Sequence, residues 1–374
     1  MASDQVIPGA TGGSVHVLEV ARGLAARGHE VHAVIRQTPG AMPQEQDGRV
    51  HWHRVSWTPP QRFFRFRAAP AVEQIARAVA PDALMERYYN FGGEGIAVAT
   101  RRGIPALLEV NSPVVDHAGS LKAVLDAALL VRPLRRYRER LCREARALVA
   151  PIPEIVPSFA RDKTVTLTWG ANVEAFAPTR RSLETRRSLG IPEAAVVVLF
   201  SGSFRPWHGV QVFEAAAARL ASRADVFFAL VGGASRGAGV GYRGVRLGAQ
   251  PYERMPEIVA SADIGVAPYE TARQRQLSLG FYWSPLKIFE YMASGLPTLT
   301  IPRFPLTEIV RDDQEGLMFR EADPIDLARQ IERLADDAAL RSRLGNAARS
   351  RVVEHYSWAR HCEQLEKVLE RIAA

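Results

Sequence analysis

Cysteine is almost absent: Cys142 and Cys362 are the two in 374 residues. Two thiols cannot form a disulfide framework, and neither sits in a CxxC or a Cys/His cluster, so a reduced cytoplasmic setting is expected. No run of about 18 apolar residues occurs, which excludes a membrane-spanning helix as a reading. The opening MASDQVIPGATGG lacks a basic start followed by an apolar block, so it does not read as a secretory signal. Lysine is also scarce, at 122, 163, 287 and 367, against 44 arginines. Several catalytic signatures are missing too. No GxGxxG follows a strand with an acid about 20 residues on, which disfavours a nicotinamide dehydrogenase. There is no GxxxxGK of a P-loop and no GxSxG elbow. No acidic pair stands at a strand end as a metal site would need, and no nucleic-acid module is visible.

What is present is ordinary globular material. Hydrophobic residues make up 47% and charged residues 24%, with 48 Lys+Arg against 40 Asp+Glu, a formal charge of +8. The length predicts two domains with separate cores.

The clearest pattern lies in the second half. The apolar run 195–200 (AVVVLF) reads as a strand buried on both faces, and 201–209 (SGSFRPWHG) as a turn-rich loop. A helix over 210–222 and a second buried strand over 226–231 (VFFALV) complete a strand-loop-helix-strand unit. That order implies a parallel sheet with a right-handed crossover. Strands at 244–248, 264–268 and 297–301, with helices at 252–260 and 287–294, extend it to a doubly wound α/β domain.

The first half repeats the pattern. Gly12-Gly13 leads to a helix over 14–27 and a strand over 31–35. Helices at 71–79 and 94–101 alternate with strands at 83–86 and 106–110. A basic helical stretch over 121–147 is expected to break at Pro133. Apolar runs at 147–150 and 164–168 follow. Helical segments are expected at 325–344 and 355–372. Domains are therefore placed at 1–178 and 179–354, with 355–374 a final helix that could cross back to the first. One part is missing from the pattern: only residues 1–8 precede the first glycine loop, with no apolar run of four. Either translation begins upstream or these residues are a degraded first strand, in which case the sheet would expose apolar surface and an unpaired edge.

Candidate site residues follow from position. Gly12 and Gly13 stand at a helix start, where backbone can approach an anion, or they form a plain tight turn. Arg205 and His208 lie at the carboxyl end of a parallel strand, where open α/β sheets bind ligands, although a solvent-facing arginine is the simpler reading. In 284–297 (SPLKIFEYMASGLP), Ser284 reads as an N-cap and Pro285 as first-turn. Lys287 then falls where a cation is unfavourable beside the helix dipole unless an anion joins it. Glu290, one turn on, is either its ion-pair partner or a hydroxyl acceptor. Two basic stretches stand out, 61–67 (QRFFRFR) and 121–148 with Lys122, Arg132, Arg135, Arg136, Arg138, Arg140, Arg143 and Arg146. They are either solvated faces or a surface for anionic lipid or acceptor.

Five segments in order carry a resemblance. GATGGSVHVLEVARGLAARGHEVHAV, TWGANVEAFAP, FSGSFRPWHGV, VRLGAQPYERMPEIVASADIGVAPY and SPLKIFEYMASGLPTL resemble segments of the family-4 retaining glycosyltransferases of GT-B fold. The resemblance implies two Rossmann-like domains facing across a cleft, and sugar transfer from a nucleotide diphosphate sugar without metal or cofactor. It implies that Arg205 and Lys287 hold the diphosphate and Glu290 the ribose. Gly12, Gly13, His208, Ser284, Pro285 and Leu286 would line the substrates. A cell-surface polysaccharide or glycolipid acceptor, a bacterial source and peripheral contact with an anionic membrane follow as expectations; nucleic acid is not a partner. Three positions depart from the family. Tyr282 replaces a glutamate eight positions before Glu290, and His208 replaces a lysine. Asn111, with His117 nearby, stands where the acceptor-domain histidine is expected. These departures keep open a nucleotide-sugar 2-epimerase or a non-catalytic nucleotide-sugar-binding subunit.

Overall fold

A computed structural model describes the chain except for Ala10, 57–67, Phe91, 118–119, 234–235 and Val240. The aromatic-basic stretch 61–67 thus lies outside the described residues. Two compact units emerge. One comprises Met1–Trp169, Arg275–Ser284 and Trp358–Ala374; the other, Gly170–Gln274 and Pro285–Ser357.

In the first unit, helix α1 (Gly12–Ala26) is followed by strands β1 (Val31–Arg36), β2 (Gln44–Asp47) and β3 (Val50–Val55). Then come α2 (Ala69–Val79), β4 (Leu84–Arg87), α3 (Glu94–Arg102), β5 (Ala106–Glu109), α4 (Leu121–Ala128), α5 (Pro133–Glu144), β6 (Ala147–Ala150) and β7 (Thr164–Thr166). Strands β4, β5, β6 and β7 are parallel neighbours in that order; β1 pairs in parallel with β3, and β3 with β2 antiparallel.

The two groups meet at Ala2, which bridges Val34 on one side and Glu86 on the other. Ala2 N donates to Met85 O and Arg87 N to Ala2 O, while Ser3 N donates to Val34 O and Arg36 N to Gln5 O. Residues 1–5 therefore occupy the centre of the sheet in the direction a first strand would take. Alongside lies a cavity of about 770 Å³ whose lining includes Met1, Val31, Val34, Leu84, Met85 and Leu369.

The basic stretch breaks as expected, with Leu130 and Arg132 at positive φ and Pro133 opening α5. Its charges are more occupied than a free basic face would be. Arg138 is buried, donating to Val114 O and Asp116, and Arg135, Arg140 and Arg143 pair with Glu139 or Glu144. Just ahead, Leu121, Val124, Leu125, Leu129, Leu130 and Val131 are all exposed.

The second unit holds α6 (Leu183–Ser188), β8 (Val196–Ser201), α7 (Val210–Arg219), β9 (Val226–Val231), β10 (Arg236–Ala238), β11 (Gly244–Leu247), α8 (Met255–Ala260) and β12 (Ile264–Ala267). It continues with α9 (Leu286–Ala293), β13 (Thr298–Thr300), α10 (Leu306–Ile309), β14 (Gly316–Met318), α11 (Pro324–Asp336) and α12 (Ala338–His355). The strand order is β10-β11-β9-β8-β12-β13-β14, parallel apart from β10. Its core strands are apolar throughout, with Val197–Phe200 and Val226–Val231 buried as strands covered on both faces must be. The last helix, α13 (Trp358–Ala373), belongs to the first unit. Cys362 packs against Gly23 of α1, where a Cβ would lie 2.4 Å from its Sγ, and Glu366 accepts from Arg27 and His29.

Candidate functional site

In the second unit, β8 delivers its carboxyl end into a loop that turns at Gly202 and enters α7 through Gly209. Gly209 has φ +65°, and a Cβ there would fall 1.6 Å from Pro268 O, so only glycine lets this loop lie against the strand end. Tyr291 of α9 fixes the other side, its hydroxyl accepting from Ser201 N at 2.7 Å. Three groups converge on this turn. A Cβ at Gly202 would lie 2.9 Å from Lys287 Nζ and 3.0 Å from His208 Nδ1. Arg205, exposed, stands on the same loop, its guanidinium 6.0 Å from the Trp207 ring centroid.

Lys287 is the unusual member. Its side chain is buried, and Nζ has no hydrogen-bond partner among the described residues. The ammonium instead sits 4.4 Å from the Phe200 ring centroid and 5.2 Å from that of Tyr269. Burial pushes the lysine down to about 7, with the nearby Glu290 charge opposing. Burial, then Lys287 and Arg205, pushes His208 down to about 2. Burial and the two neighbouring cations thus favour the neutral imidazole. Glu290 is buried on α9 one turn beyond Lys287. His208 and Lys287 thus meet at Gly202 with Arg205 on the same loop, while Glu290 follows Lys287 on α9, whose start is formed by Pro285 and Leu286.

The capping expectation fails. Pro285, not Ser284, occupies the N-cap position, and no side chain caps the helix. Ser284 Oγ is left buried without a hydrogen-bond partner. The proline, already preceding the first helical residue, displaces the serine one step too far back to reach the first-turn amides. Ser284 also ends the segment Arg275–Ser284, grouped with the first unit together with Tyr282. Tyr282 is buried, and burial raises its hydroxyl to about 12.

The other expected residues lie in the first unit. Thr11 caps α1, its side chain accepting from Ser14 N, so the helix begins at Gly12 rather than after Gly13. A Cβ on Gly13 would meet Gln5 Oε1 at 2.6 Å, so a flexible side chain covers that approach. Asn111 Oδ1 accepts from Trp169 Nε1 at 3.2 Å, and His117 is half-buried with its carbonyl accepting from Ser120 N.

One constellation escaped the sequence reading. His16, fully buried in α1, places Nε2 2.6 Å from Glu109 Oε1 at the end of β5. Trp169, Trp358 and His361 surround the His16 ring at centroid distances of 4.6, 5.5 and 5.7 Å. Burial pushes the Glu109 carboxyl up, but His16, Arg87 and Asn111 outweigh it and hold the group at about 2. The only available signal was a histidine on the apolar stripe of a helix whose first turn carries two glycines.

Comparison with known proteins decides the family. The model described as "Glycosyl transferase 4-like domain" matches residues 11–165, and "Glycosyl transferases group 1" matches 195–337. The chain belongs to the family-4 glycosyltransferases. A D-inositol 3-phosphate glycosyltransferase of Corynebacterium diphtheriae is 30% identical over 69% of this chain and 65% of its own length. Another from Salinispora tropica is 27% identical over 95% of this chain and 80% of its own. HepE of Anabaena, solved with UDP-glucose, superposes with a TM-score of 0.67 at 16% identity, over 99% of this chain and 98% of its own. The glycosyltransferase therefore has the α/β GT-B fold. No helix of the described residues is long and apolar enough to cross a membrane.

Proposed function

We propose that this glycosyltransferase moves a sugar, with retention at the anomeric carbon, from a nucleoside diphosphate sugar to a lipid-linked or polysaccharide acceptor destined for the cell surface. The observation that carries the donor reading is Lys287, a buried ammonium without a hydrogen-bond partner, aimed with His208 at Gly202 and backed by Arg205. A cation held in that state is stabilised by an anion, and a diphosphate supplies one. As the glycosidic bond breaks, negative charge grows on the leaving diphosphate; Arg205 and Lys287 are already in place to meet it. Neutral His208 donates or accepts a hydrogen bond there but adds no charge. Glu290 accepts from ribose hydroxyls. Pro285 and Leu286 present the start of α9 to the diphosphate, with Ser284 beside it. Gly12, Gly13 and Asn111 face the acceptor, Gln5 moving aside from Gly13. The UDP-glucose held by HepE makes a uridine donor the first to try.

The acceptor reading rests on the six exposed apolar residues between Leu121 and Val131, followed by the arginines of α5. Such a ridge inserts into an anionic lipid surface and would keep the enzyme peripheral on the inner face of the cell membrane. A second reading, transfer to D-inositol 3-phosphate, is favoured by the names of the two relatives above.

Thermal shift against UDP-, GDP- and ADP-sugars, followed by product analysis, tests the donor reading. One donor is expected to raise Tm by several degrees. No stabilisation by any would overturn it, and a changed donor sugar formed without acceptor would show an epimerase. Leu130→Glu is expected to abolish binding to anionic vesicles; unchanged binding, together with transfer to soluble inositol phosphate, would establish the second reading.

A further inference from the structure

On β1 and β3, far in sequence from the residues above, alternation brings histidines to one face. Glu30 immediately precedes β1, His32 lies on it, and His51 and His53 lie on β3. The parallel register pairs His32 directly with His51. Their rings stack with centroids 4.5 Å apart at an interplanar angle of 7°, and the His53 ring lies 5.3 Å from that of His32. Glu30 Oε1 is 3.1 Å from His32 Nε2 and 3.4 Å from His51 Nε2.

We propose that Glu30, His32 and His51 form a site for a first-row divalent cation, zinc being the natural occupant. Bonds of about 2.1 Å around a tetrahedral zinc place neighbouring ligand atoms about 3.4 Å apart; the two separations from Glu30 match that spacing, and all three ligand atoms lie within 4.8 Å of one another. The donor set, two imidazoles and a carboxylate, suits zinc, and leaves a fourth position for water. The supporting geometry is also present. His32 Nδ1 lies 3.0 Å from His53 Nε2. When His32 donates there, its Nε2 keeps its lone pair and points it at Glu30. Metal-bound imidazoles are oriented by a partner at the other nitrogen in this way. His32 and His51 are half-buried and Glu30 exposed, so the cation has a way in. Bound there, it ties β1 to β3 on one side of the sheet. An ordinary acid–histidine ion pair would use the same atoms, and the experiment separates the two.

The full chain is stripped with chelator and titrated with Co²⁺ alone, then with Zn²⁺. Binding of one equivalent is expected, with the visible absorption of four-coordinate Co²⁺ bleached by Zn²⁺, and a Tm that rises with Zn²⁺ concentration. His51→Ala should weaken binding at least 100-fold. Glu30→Gln, at an exposed position that leaves the fold intact, should weaken it about tenfold. His53→Phe, which touches no metal, should also weaken it roughly tenfold through the orientation of His32. Absence of the cobalt spectrum, or affinity unmoved by His51→Ala and Glu30→Gln, overturns the site and leaves an ion pair.

Discussion

The two α/β units open with the same strand-loop-helix motif but support it differently. Ahead of α7, β8 runs as six residues, each paired with β9, and two of them also with β12. Ahead of α1, Ala2 makes the bridges to both sides, and the loop that follows is held by side chains. Thr11 caps the helix, its hydroxyl meeting Ser14 and Gln5. A fully paired strand positions its loop through the backbone, so the second unit tolerates a buried Lys287 Nζ without a hydrogen-bond partner among the described residues. The first unit has less backbone to rely on, and a buried contact between His16 Nε2 and Glu109 Oε1 ties its first helix to its sheet.

Removing that contact tests the comparison most severely. Glu109→Ala leaves His16 buried without its partner, and loss of one member of a buried pair costs about 3–5 kcal/mol; chemical denaturation is expected to show that loss in the first unit. The wild-type pH profile carries the same sign. Glu109 is depressed to about 2, so its stabilisation is present above about pH 4.5 and is lost as the pH falls through about 2.

Lys287→Ala makes the opposite prediction for the second unit. Transfer should fall by about 10²-fold or more while Tm stays level or rises, because the substitution removes a desolvated charge rather than a bond. A collapse of Tm with Lys287→Ala would erase the contrast between the units. Ala2→Pro deletes the donor to Met85 O and is expected to cost about 2 kcal/mol, with affinity for nucleoside diphosphate unchanged. The smallest effect sharpens the second unit further. Burial pushes Lys287 down to about 7, so if it holds the diphosphate as proposed, affinity should drop about fivefold from pH 7 to pH 8. Calorimetry in buffers of different ionisation enthalpy should show proton uptake at pH 8, and Lys287→Arg should abolish the dependence.

Legibility in the sequence follows the same division. The second unit was plain because doubly covered strands are continuous apolar runs, and a lysine in a first helical turn is conspicuous where lysine is rare. In the first unit, β3 is harder to read although VHWHRV alternates: Val50 and Trp52 are buried while His51 and His53 are only partly so. Its partner β2, QEQD, has no apolar residue and is a strand only because β3 pairs with it. The His16–Glu109 contact joins a helix to a strand distant in sequence, and nothing local in either segment announces the other. Ser284 shows the reverse error, a sound local cap rule overridden where Pro285 takes the cap position.

The placement of α13 has a consequence for synthesis. The first unit contains both α1 and α13, so Gly23 cannot find Cys362, nor Arg27 the Glu366 carboxylate, until the chain has been made through those residues. Between Trp169 and Trp358 the ribosome adds nearly two hundred residues, which at ~5–20 residues per second occupies roughly 10–40 s. During that interval the second unit is being made, while the first, with residues 1–169 already synthesised, still waits for its last helix. The first unit, lacking α13 for that whole interval, is the species a chaperone would meet.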